Sequence, residues 1–495
     1  MSDQHSYRQI FKAISLFGSV QLFSIIIGLI KSKMIAVLLG KAGYGINNLY
    51  QSPINLITSL TNMGLNFSAT RDIAPVYAKG DMHTFSIIVK TLQKWMWITG
   101  LLGVAVTIAL APILSRSSFD DNSHTWTFVC LSAVLLLMTF NWGQVAILQG
   151  ARKHKEYAKS IMLSSLVGLI IVVPLYYFWG NDGIAPALIL SAIVTTFFSW
   201  YYVRKIPVLP VTVTEKELFE KGKVMIKFGI MYNMGTLISQ LTYYMTLLFI
   251  AGQSGEDQVG LFSSGWSITN QYLGLIFAAM TVDYFPKLAT LQDDVGKMKD
   301  AVNEQGEIAI LIVVPLIILY MTFMPIVIQL LLSSEFMPIL VYSRWLTMGM
   351  IIKTASWALG YVTLAKGDTK RFFFLEIFGN AIILAGSIVG YYFGNLEGIG
   401  IGIVSGFLIN YLVITIYVKL KYRIFFAKEF QKVFLIQLAV LVVAFVITCC
   451  LPAIWIYTLG SGLFLLSLLY SLRCLNERIG LKELFRNYLK NKKNH

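Results

Sequence analysis

Residues 306–332 read GEIAILIVVPLIILYMTFMPIVIQLLL, and no charge follows Glu307. A run of about 20 apolar residues is enough to cross a bilayer as a helix. Working outward, similar runs cover most of the chain. They fall at 12–39, 44–67, 87–114, 126–149, 160–180, 184–203, 226–251, 259–282, 306–332, 339–364, 373–394, 398–418, 433–452 and 454–473. Only helices and closed barrels satisfy the backbone in lipid, and these runs are too long and continuous for barrel strands. The sequence therefore predicts an all-α polytopic membrane protein with about fourteen transmembrane helices.

Composition agrees. Of 495 residues 56% are apolar and 13% charged, against about 25% charged in soluble domains. No loop is long enough to be a separate soluble domain. Cys130, Cys449 and Cys450 fall inside apolar runs and Cys474 opens a basic tail, so no disulfide framework is expected. The polar start, Met1 to Lys12, and the length of the first apolar run predict an uncleaved first span.

Lys and Arg set the orientation. Of 40 such residues, 32 lie at the ends and in alternate loops, on one side of the membrane if the chain starts in the cytoplasm. The loops 252–258, 333–338 and 395–397 carry none. The positive-inside rule then places both termini in the cytoplasm. The net charge of +15 is a topology signal, and its spread over eight segments argues against nucleic-acid binding. In the tail, Leu481, Leu484, Phe485 and Tyr488 share a helical face among Lys482, Arg486 and Lys490. Either an interfacial amphipathic helix or a solvated basic tail fits.

The chain resembles itself at an offset of about 215. Gly40 and Gly45 map to Gly255 and Gly260, Lys155 to Lys370, Tyr176-Tyr177-Phe178 to Tyr391-Tyr392-Phe393, and Gly183-Ile184 to Gly398-Ile399. Six spans per repeat make two parallel six-helix lobes. The expected organisation is lobe 1–203, a cytoplasmic linker 204–225, lobe 226–418, and 419–495 with the last two spans and the tail. Thr214 with Glu217 forms a capping-box pattern for a short surface helix in the linker.

Polar stripes mark the cavity candidates. Gln21, Ser24, Gly28 and Lys31 share one face of span 1. Asn48, Gln51, Asn55, Thr58 and Asn62 line span 2. Thr236, Ser239, Tyr243 and Thr246 line span 7, and span 8 keeps Ser263 and Asn270. Such stripes either bond helices together or border water; their recurrence in both repeats favours a cavity.

Lys31 lies eight residues before Leu39, about 12 Å inside the helix end. It reaches a cavity or snorkels to the headgroups. Lys33 is about 200° away around the helix, so one of the two faces the cavity, and the stripe selects Lys31. Lys353 sits near the middle of span 10, with Ser356, Gly360 and Thr363 on its face. Arg344 lies nearer the outer surface and reads as a rim residue and a further anion contact. Glu307 and Glu376 are candidates for ion coupling. Arg71, Asp72 and the repeat-related Asp283 stand at cytoplasmic span ends, as a gate would. No acidic residue is expected near the midplane. All five histidines lie in loops or tails, and no catalytic or nucleotide motif occurs. No enzyme activity, metal or cofactor is expected.

The stretch GLIKSKMIAVLLGKAGYGINNLYQSPINLITSLTNMGLNFSATRD, Gly28 to Asp72, resembles the opening of polysaccharide repeat-unit flippases of the O-antigen translocase (Wzx) type. These belong to the multidrug/oligosaccharidyl-lipid/polysaccharide exporter superfamily. The resembling features are a basic residue late in span 1, LLG followed by GYG, a polar span 2 and a basic–acidic pair after it. The resemblance implies a V-shaped pair of lobes around a cationic cavity, with Lys31 as its basic residue. It implies translocation of an undecaprenyl-diphosphate-linked glycan from the cytoplasmic to the periplasmic leaflet of the bacterial inner membrane. Membrane lipid, a polysaccharide polymerase and a chain-length regulator are the implied partners. The second repeat has Thr246 where Lys31 stands, so Lys353 is the expected second diphosphate contact. A multidrug-extrusion-type antiporter would need an acidic cavity residue for cations. A polymerase or acyltransferase would need catalytic groups in large outer loops, and the outer loops are short.

Overall fold

The computed structural model describes residues 23–479. Gln21, the start of span 1 and the 480–495 tail lie outside the described residues, as does the side chain of Asp283. Thirteen helices make up the described residues. They are α1 (23–38), α2 (Gly40–Asn62), α3 (Leu65–Ala78), α4 (Met82–Phe119), α5 (Thr125–Gly150), α6 (His154–Trp179) and α7 (Ile184–Val203). Then follow α8 (Glu215–Thr290), α9 (Val295–Leu331), α10 (Leu340–Ala365), α11 (Thr369–Tyr422), α12 (Lys428–Cys450) and α13 (Ala453–Ile479). Non-helical dihedrals divide α8 at Gly255 and α11 at Gly394 and Asn395. Among the described residues, eight helical stretches are long and apolar enough to cross a membrane. Three of them, His154–Val203, Asn233–Asn270 and Thr369–Tyr422, run through such an interruption. Helices α2 and α10, which carry Asn48, Gln51, Asn55, Asn62, Arg344 and Lys353, are not among the eight. The protein is a multi-pass, all-α membrane protein.

Two expectations change in detail. The span at 44–67 is not one helix, because Met63 and Gly64 both adopt the left-handed conformation, at φ 51° and 66°, and separate α2 from α3. The short surface helix in the linker is instead the first part of α8. Thr214 caps it, its hydroxyl accepting from the Glu217 amide at 3.3 Å, and the helix runs on into the membrane.

The backbone repeats its own dihedrals at the 215 offset. Positive φ pairs Gly40 with Gly255, Arg152 with Gly367, and Gly180 with Asn395. Gly180 has φ 53°, ψ −131° and Asn395 φ 48°, ψ −130°. Lys153 and Asp368 share φ −83°, ψ 61°.

The chain divides into two compact units, Met1–Leu261 with Leu331–Ser333, and Phe262–Leu330 with Ser334–His495. The first contains α1–α7 and the first arm of α8. Its core gathers Leu65, Ile73, Phe85, Trp95, Ile147 and Met225. Here the first arm of α8 lies against α2 and α3. A Cβ on Gly64 would come within 2.3 Å of the Gly229 carbonyl, and one on Gly229 within 2.3 Å of the Met63 carbonyl. Ser68 donates to the Met225 carbonyl at 2.6 Å, and Asn233 to that of Ser59 at 3.2 Å. At the other end a Cβ on Gly45 would come 2.0 Å from the Glu256 carbonyl, and one on Gly260 2.0 Å from that of Lys41. Only glycine permits backbones so close. Lys41 also faces Asp257 at 3.7 Å. The second unit is built on Ile310, Val313, Ile317, Met350, Leu359 and Leu441.

Candidate functional site

In the first unit, α1, α2, α5 and α7 border an open cavity of about 240 Å³. Lys31 enters from α1, and Gln51, Ile54 and Asn55 from α2. Helix α5 gives Val134, Met138, Asn141 and Trp142, and α7 gives Leu188, Ser191, Ala192, Thr195 and Thr196. No carboxylate lines it. The helical spacing explains the α2 wall, since Gln51 and Asn55 are four residues apart and share a face.

Several lining groups are already satisfied. Gln51 donates to Asn47 at 3.0 Å, Thr195 to the Ser191 carbonyl at 2.8 Å, and Thr196 to that of Leu137 at 2.9 Å. Five are not. Among the described residues, the Lys31 ammonium, the amides of Asn55 and Asn141 and the Trp142 indole N–H have no hydrogen-bond or ionic partner, and the buried Ser191 hydroxyl is likewise unpaired. Burying a polar group without a partner costs about 1–3 kcal/mol, and more for a charge. Among the described residues the Ser191 hydroxyl is such a group, and with the lysine and the two amides beside it the lining suits a polar occupant.

Lys33 points elsewhere, its ammonium donating to the Leu332 carbonyl. This matches the turn of helix that separates it from Lys31. Asn48 bonds back to the Tyr44 carbonyl at 2.9 Å. Asn62 is buried at the end of α2, Ser24 and Tyr243 are half-buried, and Ser239 is exposed; none of these lines the cavity. Arg71 pairs with its neighbour Asp72 at 2.6 Å and lies over the Phe228 ring at 3.7 Å.

In the second unit, Lys353 of α10 donates to the Asn270 side-chain oxygen at 3.4 Å and lies 5.5 Å from the Phe407 ring centre. The Glu376 carboxylate, on the first arm of α11, acts on it electrostatically. Lys353 thus has an acidic neighbour that the sequence did not lead one to expect. The other acid, Glu307, accepts from Arg478 at 3.2 Å. Arg344 is only 4% exposed, and its Nε has no hydrogen-bond partner among the described residues.

The offset relates the two neighbourhoods. Asn55 corresponds to Asn270, Trp142 to Trp357, and the cavity residue Met138 to Lys353. Each repeat therefore has a lysine beside an asparagine, but from different helices. Sequence reasoning missed Asn141, Trp142, Ser191, Thr195 and Thr196. The one available signal was the polar interruption Asn141-Trp142 inside the apolar α5.

Comparison with known proteins now has a geometry to refer to. Over 354 residues the chain is 23% identical to the lipid III flippase of Escherichia coli (strain K12), covering 71% of this chain and 84% of that protein. It is 23% identical over 183 residues to stage V sporulation protein B of Bacillus subtilis (strain 168), covering 36% and 35%. Its fold is similar to an inward-facing multidrug resistance MATE family transporter, with a TM-score of 0.69 at 19% identity over 85% of this chain and 99% of the other. It is equally similar to the lipid II flippase MurJ in an inward closed conformation, with a TM-score of 0.69 at 14% identity over 94% and 99%. The sequence model of one family spans residues 34–341, and the chain belongs to that family, the polysaccharide biosynthesis proteins.

Proposed function

We propose that this protein is a flippase for a lipid-linked oligosaccharide and not an enzyme. Its substrate on this reading is an undecaprenyl-diphosphate-linked repeat unit of O-antigen or a related surface polysaccharide. The carrier lipid and its glycan move from the cytoplasmic to the periplasmic leaflet of the bacterial inner membrane by alternating access, driven by an ion gradient. Both termini are cytoplasmic. The observation that carries the reading is the membrane-embedded cavity holding an unpaired lysine, neutral amides and no acid. That set suits an anion with polar attachments and repels an organic cation. The flippase names of the relatives support it.

Lys31 and Lys353 contact the diphosphate by charge-assisted hydrogen bonds, and Arg344 is a further anion contact. Glu376, beside Lys353, is the group whose protonation or ion binding would couple transport to a gradient. Arg71, Asp72 and Asp283 form the cytoplasmic gate. The polymerase and chain-length regulator receive the flipped product.

Surface glycan and accumulated lipid-linked precursor are the readouts, at matched protein level. Lys31→Ala and Lys353→Ala should each lower surface glycan and raise precursor, and Lys→Arg should retain part of the activity because the charge stays. Full activity in the double Ala variant would overturn the reading.

A further inference from the structure

The second unit holds an open groove of about 300 Å³ between α9, α12 and α13, and translocation of cargo makes no use of it. Ile308, Leu311, Phe430 and Leu475 supply its apolar wall. Above that wall α9 presents Asp300, Glu304 and Glu307 from one face, and Glu429 joins them from the first turn of α12. Lys287 meets Glu304 at 2.9 Å. Glu307 is only 8% exposed. Arg478 of α13 takes one of its oxygens at 3.2 Å, and among the described residues no group bonds the other. Asp300 and Glu429 are exposed and have no ionic partner among the described residues.

An acidic groove is out of place here. The segments that form it are otherwise basic, with Lys297 and Lys299 before Asp300, and Lys428 and Lys432 on either side of Glu429. An anionic lipid headgroup would meet four carboxylates. A metal ion would leave the apolar wall and most of the volume unfilled. The chain itself supplies a segment with both required characters. The described residues end at Ile479, directly after the groove residue Arg478. Residues 480–495 follow, with five Lys or Arg, the first two being Lys482 and Arg486, against one acid, Glu483. Leu484 and Phe485 lie between those two cations in sequence. A segment tethered at the rim is present at an effective concentration in the millimolar range. Pairing of exposed charges, weak as it is, is then enough to seat it.

We propose that this groove is the docking site of the chain's own C-terminal segment, 480–495. Lys482 and Arg486 sit against Asp300 and Glu429, and Leu484 and Phe485 rest on the apolar wall. The docked segment ties α13 to α9 and α12, and it withdraws its charge from the anionic lipid surface that would otherwise attract it. Docking is independent of which cargo the protein carries.

The test uses the full chain in nanodiscs of phosphatidylcholine alone, which offer a basic segment no anionic surface. The four native cysteines are replaced by serine, and Ile308→Cys is combined with Leu484→Cys. Mild oxidation should crosslink the two. Asp300→Lys with Glu429→Lys should slow crosslinking about tenfold, and so should Lys482→Glu with Arg486→Glu, since each turns two attractions into repulsions. The tail pair alters no residue of the helices that form the groove, so its effect is not a failure to fold. All four changes together should restore crosslinking, because the charges are opposite again. Crosslinking that is indifferent to both reversals, or that stays slow in the combined variant, would overturn the docking. Crosslinking that is absent in phosphatidylcholine and appears only when phosphatidylglycerol is added would place the segment on the lipid surface, and would overturn it too.

Discussion

The Lys31 cavity and the Lys353 neighbourhood stand at equivalent places in two repeats, yet they are finished differently. Both keep an asparagine, Asn55 or Asn270, and a tryptophan, Trp142 or Trp357. In the first, the lysine comes from α1 and, among the described residues, the buried Ser191 hydroxyl of the same cavity has no hydrogen-bond partner. In the second, it comes from α10, bonds Asn270 at 3.4 Å and has Glu376 acting on it. The first neighbourhood keeps a cavity beside its lysine, whereas the second surrounds its tryptophan with aromatic rings.

The tryptophans separate the halves most sharply. Trp357→Ala should remove a ring packed on three aromatics, costing about 3–5 kcal/mol, read as a large fall in melting temperature in detergent. Trp142→Ala should cost far less stability while impairing transport. Equal stability losses would mean that the first cavity is packed after all.

Next is the placement of the charge. Lys31→Thr gives the first repeat the residue of the second, and should lower transport about ten- to hundredfold, as for one hydrogen bond to a charged group. Adding Met138→Lys moves the lysine to α5, the counterpart of the helix that bears Lys353, and should restore part of the activity in a surface-glycan assay. No recovery would show that the helix of origin matters as much as the charge.

The glycine contact comes third. Gly45→Ala and Gly260→Ala would each set a methyl 2.0 Å from a backbone carbonyl, and should destabilise this arrangement by about 1–3 kcal/mol. Gly168→Ala, with open space around it, is the control and should be neutral or slightly stabilising in the same thermal assay.

The smallest effect lies in the loops. Asp368 accepts from Lys421 and, at 2.9 Å, from Tyr422. The Lys421 side chain, then that of Tyr422, holds its carboxyl below the usual carboxylate range. A lowered folded-state value stabilises above the unfolded pKa of about 3.9 and is lost as pH falls through the folded value. Asp368→Asn should therefore lower the melting temperature slightly at neutral pH and converge with wild type in acid. Its counterpart, Lys153, shares the backbone angles but carries the opposite charge, so Lys153→Asn should show no such acid convergence.

The fold was legible because hydropathy is a local property, and each apolar run reports a helix without knowledge of its neighbours. The α2 wall was legible too, since Gln51 and Asn55 lie on a stripe. Asn141, Trp142 and Ser191 were not, because each is isolated in an apolar run and becomes meaningful only when α5 and α7 face α1 and α2. That facing is a tertiary fact. The interruption at Met63-Gly64 escaped for the reverse reason: apolar residues continue on both sides, and the close approach of Gly229 has no trace in the local pattern. Glu376 is legible in the sequence as a candidate acid, but its influence on Lys353 is not, because that neighbourhood joins α10 to α11.

The reciprocal glycines have a consequence beyond packing. Gly45 meets the backbone of Glu256, and Gly260 that of Lys41; the offset converts each contact into the other. Residue i touching j while j touches i is the rule of an isologous interface between identical copies. The fused chain thus keeps within itself the handshake of a homodimer. Fusion also frees it from one restriction of that ancestry, since identical copies must change both sides at once. Here Lys41 and its mate Glu256 carry opposite signs, and Lys41 faces Asp257 where the corresponding position in the first repeat is Ala42. A true homodimer could not hold that asymmetry, and a single gene can.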